Sequence, residues 1–198
     1  MALLELAPPG AEPVSVSDAR GWLRVGHGDE DVLIASLIAA ARERVEALTG
    51  RALITRALRE TLDDWPRART DWRSGAVRLP APPLISVEAV RVFDAQGNAS
   101  LWSPDEYQVD TGSDPGRIIP AAPFDLPRPG RRAAGIVIDF TAGYGLAPED
   151  VPAPLREAVL RLAAHAYGGR HAPEAARGEG ELPDGVAHLV RPYRSVRL

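Results

Sequence analysis

Ile136-Val-Ile-Asp-Phe-Thr-Ala-Gly-Tyr-Gly145, continuing through Leu146 to Asp150 and then Val151-Pro-Ala-Pro-Leu155, is the stretch on which the reading of the fold turns. Ile136, Ile138 and Phe140 fall on one face at period two, and Asp139 and Thr141 fall on the other, which predicts a strand with one buried side. Gly143 and Gly145 flank Tyr144, and both can take a positive φ, so a turn is expected there. Pro152 and Pro154 suit the first turn of a helix, where a missing N–H costs nothing. The stretch therefore reads as strand, turn and helix. It holds no nucleophile, no set of metal ligands and no phosphate loop.

Composition narrows the class. A chain of 198 residues can bury a core as one domain with an appended tail. Its hydrophobic fraction of 45% and charged fraction of 25% are those of an ordinary globular protein. No apolar run approaches the roughly 18 residues of a membrane span, so no membrane partner is expected. The opening MALLELAPPG lacks the positive start and long apolar centre of a signal peptide, which predicts a cytosolic protein. The absence of cysteine excludes disulfides and thiolate metal sites. All 23 basic residues are arginine. A GC-rich genome accounts for that. A nucleic-acid-binding patch is the alternative, against which stand the net charge of −4 and the scatter of arginines along the chain.

The chain divides into a lead-in (1–13), a main domain (14–169) and a linker with a C-terminal segment (170–198). Pro8, Pro9, Gly10 and Pro13 make the lead-in extended. Ser17 is read as the cap of a helix over 17–25, broken by Gly26-His-Gly28. The acidic run Asp29-Glu30-Asp31 favours the start of a second helix over 29–49, with Gly50 as its stop. Its stripe is Ile34, Ile38, Ala41, Val45 and Leu48, widened by Leu33 and Leu37, with Arg42, Glu43 and Glu46 on the other side. Strands are expected within 54–141, at Ile54–Leu62, Ala76–Leu79, Val87–Phe93, Ser100–Trp102, Tyr107–Val109, Arg117–Ile119 and Gly135–Thr141. A third helix over 152–168 carries Leu155, Val159, Leu162 and Ala166 on one side. Residues 170–181 are a polar, low-complexity linker. The fold class is α+β, with N- and C-terminal helices packed on a small, mostly antiparallel sheet and an extended C-terminal tail.

Residues that could carry chemistry have simpler roles. Asp29-Glu30-Asp31 lacks the spaced ligands and glycine of a calcium loop and reads as helix capping. Asp63-Asp64 and Glu149-Asp150 fall at the ends of elements, where solvated charges are usual. His27, His165, His171 and His188 have no zinc-ligand spacing. No nucleophile elbow, P-loop or dinucleotide fingerprint occurs. Trp22, Trp65, Trp72 and Trp102 read as packing residues. No catalytic residue, metal or cofactor is expected.

Three places in the chain, taken in order, point to a family. The first is Val14-Ser-Val-Ser-Asp-Ala-Arg-Gly-Trp-Leu-Arg-Val25, followed by Asp29-Glu-Asp-Val-Leu-Ile34 and Ala39-Ala-Ala-Arg-Glu-Arg-Val-Glu-Ala-Leu-Thr-Gly-Arg51. The second is Val77-Arg-Leu-Pro-Ala-Pro-Pro-Leu84 and Asp105-Glu-Tyr-Gln-Val-Asp110, with Gly116-Arg-Ile118. The third is Phe140-Thr-Ala-Gly-Tyr-Gly145, leading through Val151-Pro to Leu155-Arg-Glu-Ala-Val159. Over residues 14–168 this order resembles the phage head–tail connector (adaptor) family, whose members also occur in phage-like gene transfer particles.

The resemblance implies a structural protein, assembled in the bacterial cytoplasm and then resident in a particle's neck. About twelve copies would form a ring under the portal vertex, extend the DNA channel and carry the next tail component, a stopper or tail terminator. Implied partners are the portal protein, that tail component and further copies of the chain, with DNA only passing through. The net negative charge, repeated around a ring, would repel DNA phosphates. Arg42, Glu43, Glu46 and Tyr144 are the expected ring contacts. In the C-terminal segment Val186, Leu189 and Val190 recur at helical spacing, Pro192 and Tyr193 end the turn, and Arg191, Arg194 and Arg197 supply charge. Those eight residues are the expected portal-docking segment, with packing against the chain's own domain as the alternative. A nucleic-acid-binding module and a small carboxylate-dependent hydrolase are the other classes left open.

Overall fold

The computed structural model describes residues 2–71, 73–169 and 182–194. Trp72, the proposed linker 170–181 and Arg197 lie outside the described residues. The chain forms two compact units, each built from two separate stretches: Met1–Pro9 with Thr55–Gly143, and Gly10–Ile54 with Tyr144–Leu198. The first holds the strands and the second the helices, so the class is α+β.

Among the described residues the β unit has eight strands in chain order: β1 (Ala2–Glu5), β2 (Arg56–Leu62), β3 (Val77–Arg78), β4 (Leu84–Phe93), β5 (Ala99–Leu101), β6 (Tyr107–Asp110), β7 (Arg117–Pro120) and β8 (Ile136–Ala142). They form a five-stranded sheet, β1-β2-β8-β4-β5, and a three-stranded sheet, β3-β7-β6. Every pairing is antiparallel. At the centre of the larger sheet Phe140 faces Leu58 and Val87 across its two neighbours, and Ile138 faces Glu60 and Val90. Ile136, Ile138 and Phe140 have no exposed surface, as the period-two pattern requires. Trp102 meets Trp65 edge-on and Tyr107 at a tilt, with ring centroids 5.7 and 4.7 Å away.

Some boundaries move. The lead-in is extended, and its residues 2–5 become an edge strand on β2, although Leu3-Leu4 shows no alternation to mark it. Ile54 lies outside β2 and instead makes an isolated parallel bridge with Gly145. β4 begins at Leu84, three residues before Val87, because two register shifts keep it paired with β8 past the proline-rich entry.

The helical unit contains α1 (Val16–Leu23), α2 (Asp31–Thr49), α3 (Ala153–Gly169) and α4 (Val186–Val190) among the described residues. Ser15, not Ser17, caps α1: its Oγ accepts a hydrogen bond from the Asp18 N–H at 3.0 Å. α2 starts at Asp31, two residues later than the acidic run suggests, and Glu30 is its cap. It stops at Gly50, whose φ of 72° a side chain would resist. α3 runs through both glycines at 168 and 169. Ile34, Ile38 and Val45 of α2 pack with Leu155, Val159 and Leu162 of α3, with Val186 and Val190 of α4 completing the cluster. Ala166 is exposed, and Ala158 and Ala163 take its expected place in the buried stripe.

Candidate assembly surfaces

The turn at Gly143-Tyr144-Gly145 uses its two glycines differently. Gly143 has a φ of 138°. Gly145 is not in the left-handed region; it is needed for space, because a Cβ there would run into the Asp150 carboxylate. That carboxylate accepts the Ala147 N–H at 3.0 Å and so shapes the entry to α3. Tyr144 is half-buried against the helical core. Its hydroxyl accepts a hydrogen bond from Arg51 Nη1 at 3.3 Å, and Arg51 Nε donates to the Tyr193 carbonyl at 2.7 Å. Arg51 therefore ties the turn to the C-terminal segment.

Arg42 and Glu46 do not sit on an open helix face. Both are buried, and the buried stripe of α2 widens toward Arg42, Glu46 and Thr49 while Leu33 is left 40% exposed. Arg42 donates to Glu46 and to Glu12, each at 2.9 Å, and Glu46 also accepts the Leu53 N–H at 2.8 Å. The segments on either side of the helix cover this face and satisfy its charges, which the periodicity of α2 alone could not show. Burial raises the Glu12 pKa despite the neighbouring Arg42. Glu43 alone of the three stays exposed.

In the C-terminal segment, Val186 and Val190 are fully buried in the helical core, and Leu189 and Tyr193 pack against it. These four side chains pack within their own unit, the alternative that the sequence left open for this segment. Arg191, Pro192 and Arg194 are exposed. Arg197 lies outside the described residues.

Several carboxylates of the β unit are held by arginines. Asp139 accepts from Arg59 Nε at 2.6 Å, from Arg59 Nη2 at 2.8 Å and from Arg91 Nη1 at 2.7 Å. The Arg59 hydrogen bonds, with help from Arg91, hold its carboxyl below the usual aspartate range. Glu60, on the opposite face of β2, is pushed up by burial while Arg69 lies 2.6 Å away. Asp63 accepts the Ala134 N–H at 2.8 Å and Asp64 the Trp65 N–H at 2.8 Å, so that pair braces loops. Among the described residues no group of three or more potential ligands could hold a metal ion.

One surface had no counterpart in the sequence reading. An open groove of about 260 Å³ is lined by Ala11, Val14, Val16, Ala35, Ile38 and Pro148, with Glu12 and Ser15 completing its wall. Val32, one turn before Ala35 on α2, is 85% exposed, and Leu146, two residues before Pro148, is 74% exposed. The available signal was Val32 itself, an apolar residue out of phase with the stripe of α2.

The chain matches no protein-family model and no curated protein sequence. It does match solved structures along its whole length. A chain in the neck of an empty gene transfer agent particle, computed with C6 symmetry, is 31% identical, with a TM-score of 0.77; the match covers 100% of this chain and 97% of that one. A chain in the virion of a native gene transfer agent particle is 31% identical with a TM-score of 0.79, at the same coverage. A chain in the neck of a native particle, computed with C12 symmetry, is 30% identical with a TM-score of 0.74, again at that coverage.

Two buried cores, satisfied charge networks and an exposed apolar groove, together with these matches, define a structural protein of a phage-like particle. The chain belongs to the family of gene transfer agent neck proteins.

Proposed function

We propose that the chain is the head–tail adaptor of such a particle. About twelve copies form a ring beneath the portal, extend the DNA channel and present a platform for the next tail component. The observation that carries this reading is the full-length likeness to neck chains, one of them in a neck computed with C12 symmetry. Rotational symmetry of that kind arises from a head-to-tail contact that closes on itself. The work is mechanical, and no reaction is assigned to it. Assembly takes place in the bacterial cytoplasm, and the finished ring resides in the neck.

Of the expected contact residues, Glu43 is retained for the ring interface because it alone of the helix trio is exposed. Tyr144 is assigned to the turn it braces with Arg51. Arg191, Pro192 and Arg194 are retained for the portal contact, on a short helix whose own anchors stay in the core. The net charge of −4 suits a conduit that does not hold its DNA.

The test is to mix the protein with the portal protein encoded beside its gene and to image the complex by electron microscopy against portal alone. A symmetric added tier below the portal is the expected result. An intact portal without added density, at protein concentrations well above micromolar, would overturn the adaptor role.

A further inference from the structure

Within the β unit, Phe124 stands out. It is a bulky residue at φ 63°, where such side chains are rare, and it is 56% exposed. The loop holds it in place. The Leu126 N–H donates to the Phe124 carbonyl at 2.9 Å, and the Asp125 N–H donates to the Ala122 carbonyl at 3.1 Å. Gly75, itself at φ 74°, lets the backbone of Phe124 close in: a side chain there would meet its nitrogen at 2.9 Å. The backbone of a half-exposed aromatic residue is thus held by local contacts in a conformation rare for its type. Arg128 and Arg132 are exposed on the same loop.

The helical unit offers the complement. Its groove is apolar on the floor, and Val32 and Leu146 extend the apolar surface. Acidic groups stand around it. Glu149 is exposed beside the lining residue Pro148 and Asp18 is exposed one turn after the lining residue Ser15, while Glu12 in the wall is already held by Arg42.

We infer that the groove receives the Phe124 loop of a second copy of this chain, the ring entering the apolar floor while Arg128 and Arg132 meet the acidic rim. This rests on the ring reading and names its contact. Knob and hole are different surfaces of one chain, so each copy can use both at once, which is the requirement for a head-to-tail ring. A preorganised aromatic anchor flanked by arginine is the composition that concentrates binding energy at an interface.

The experiment uses the full chain in the portal-bound tier. A photo-crosslinking amino acid, p-benzoylphenylalanine, replaces Val32, and isotopically heavy and light copies are mixed before irradiation. Mass spectrometry should find Val32-site crosslinks to the 120–132 peptide, in mixed heavy–light pairs that prove contact between copies. In parallel, Phe124→Ala should lower tier occupancy at least about tenfold while the melting temperature stays unchanged. Phe124→Tyr should retain occupancy. Crosslinks to the portal or to another part of the chain, or none at all in a visible tier, would overturn the inference. So would full occupancy with Phe124→Ala. Absence of the tier with the unsubstituted chain would remove the ring reading itself, so the two failures are distinguishable.

Discussion

Asp139 shows how a single residue can be placed correctly by pattern while its partners stay hidden. Alternation put it on the face away from Ile138 and Phe140, where an unpaired carboxylate in water would be ordinary. Arg59 and Arg91, on the strands either side, instead bind it with three hydrogen bonds. Asp139→Asn should cost about 1.5–3 kcal/mol at neutral pH, the range for hydrogen bonds to a charged group. Because the folded pKa is depressed below the ordinary 3.8, the stabilisation is present above that value and is lost as pH falls through the folded pKa. Urea melts of both proteins should therefore differ at pH 7 and converge on strong acidification; an offset that persists there would assign the loss to packing. Gly145 teaches the converse. Its presence in a turn was legible, but its reason was not, since the need for space comes from Asp150 five residues on.

At the scale of elements, the C-terminal helix gives the sharpest outcome. α4 is only five residues long, yet two of its side chains are fully buried in the core made by α2 and α3. Deleting residues 182–198 should cost about 3–6 kcal/mol, at roughly 1.5–3 kcal/mol for each buried valine, and lower the thermal midpoint. A midpoint unchanged by the truncation would show that the segment is not part of the folding unit. Strand and helix existence was largely readable from period and punctuation, because buried faces impose their spacing on the chain. Two things were not. β1 lies at a sheet edge with all four residues exposed, so no burial pattern marks it. The inward turn of Arg42 and Glu46 depends on Glu12 and Leu53, which reach α2 only through tertiary packing. Charge on a helix reads as solvent-facing until a remote partner is known. For the same reason the candidate surfaces were the least legible part: a groove is made by segments 11–16, 35–38 and 148, which no local window joins.

For the whole molecule, the exposed arginines of the C-terminal turn offer a test of the portal contact apart from the fold. Arg191→Glu combined with Arg194→Glu should weaken binding to the portal several-fold and leave the melting curve in place, since neither side chain is buried. Unchanged affinity would move the portal contact elsewhere. The interleaving of the two units has a further consequence, one of time. The chain crosses between them at Pro9–Gly10, Ile54–Thr55 and Gly143–Tyr144. During synthesis the β unit has all its strands once Gly143 has emerged, whereas Ile38 and Val45 of α2 wait for α3 and α4. A nascent chain thus carries an unfinished helical unit behind a finished sheet until its final helix is made. A copy halted early would have the knob loop but a helical unit still lacking part of its core. A chain that stops short of α4 therefore leaves Ile38, Val45, Leu155 and Val159 without the two valines that close their cluster.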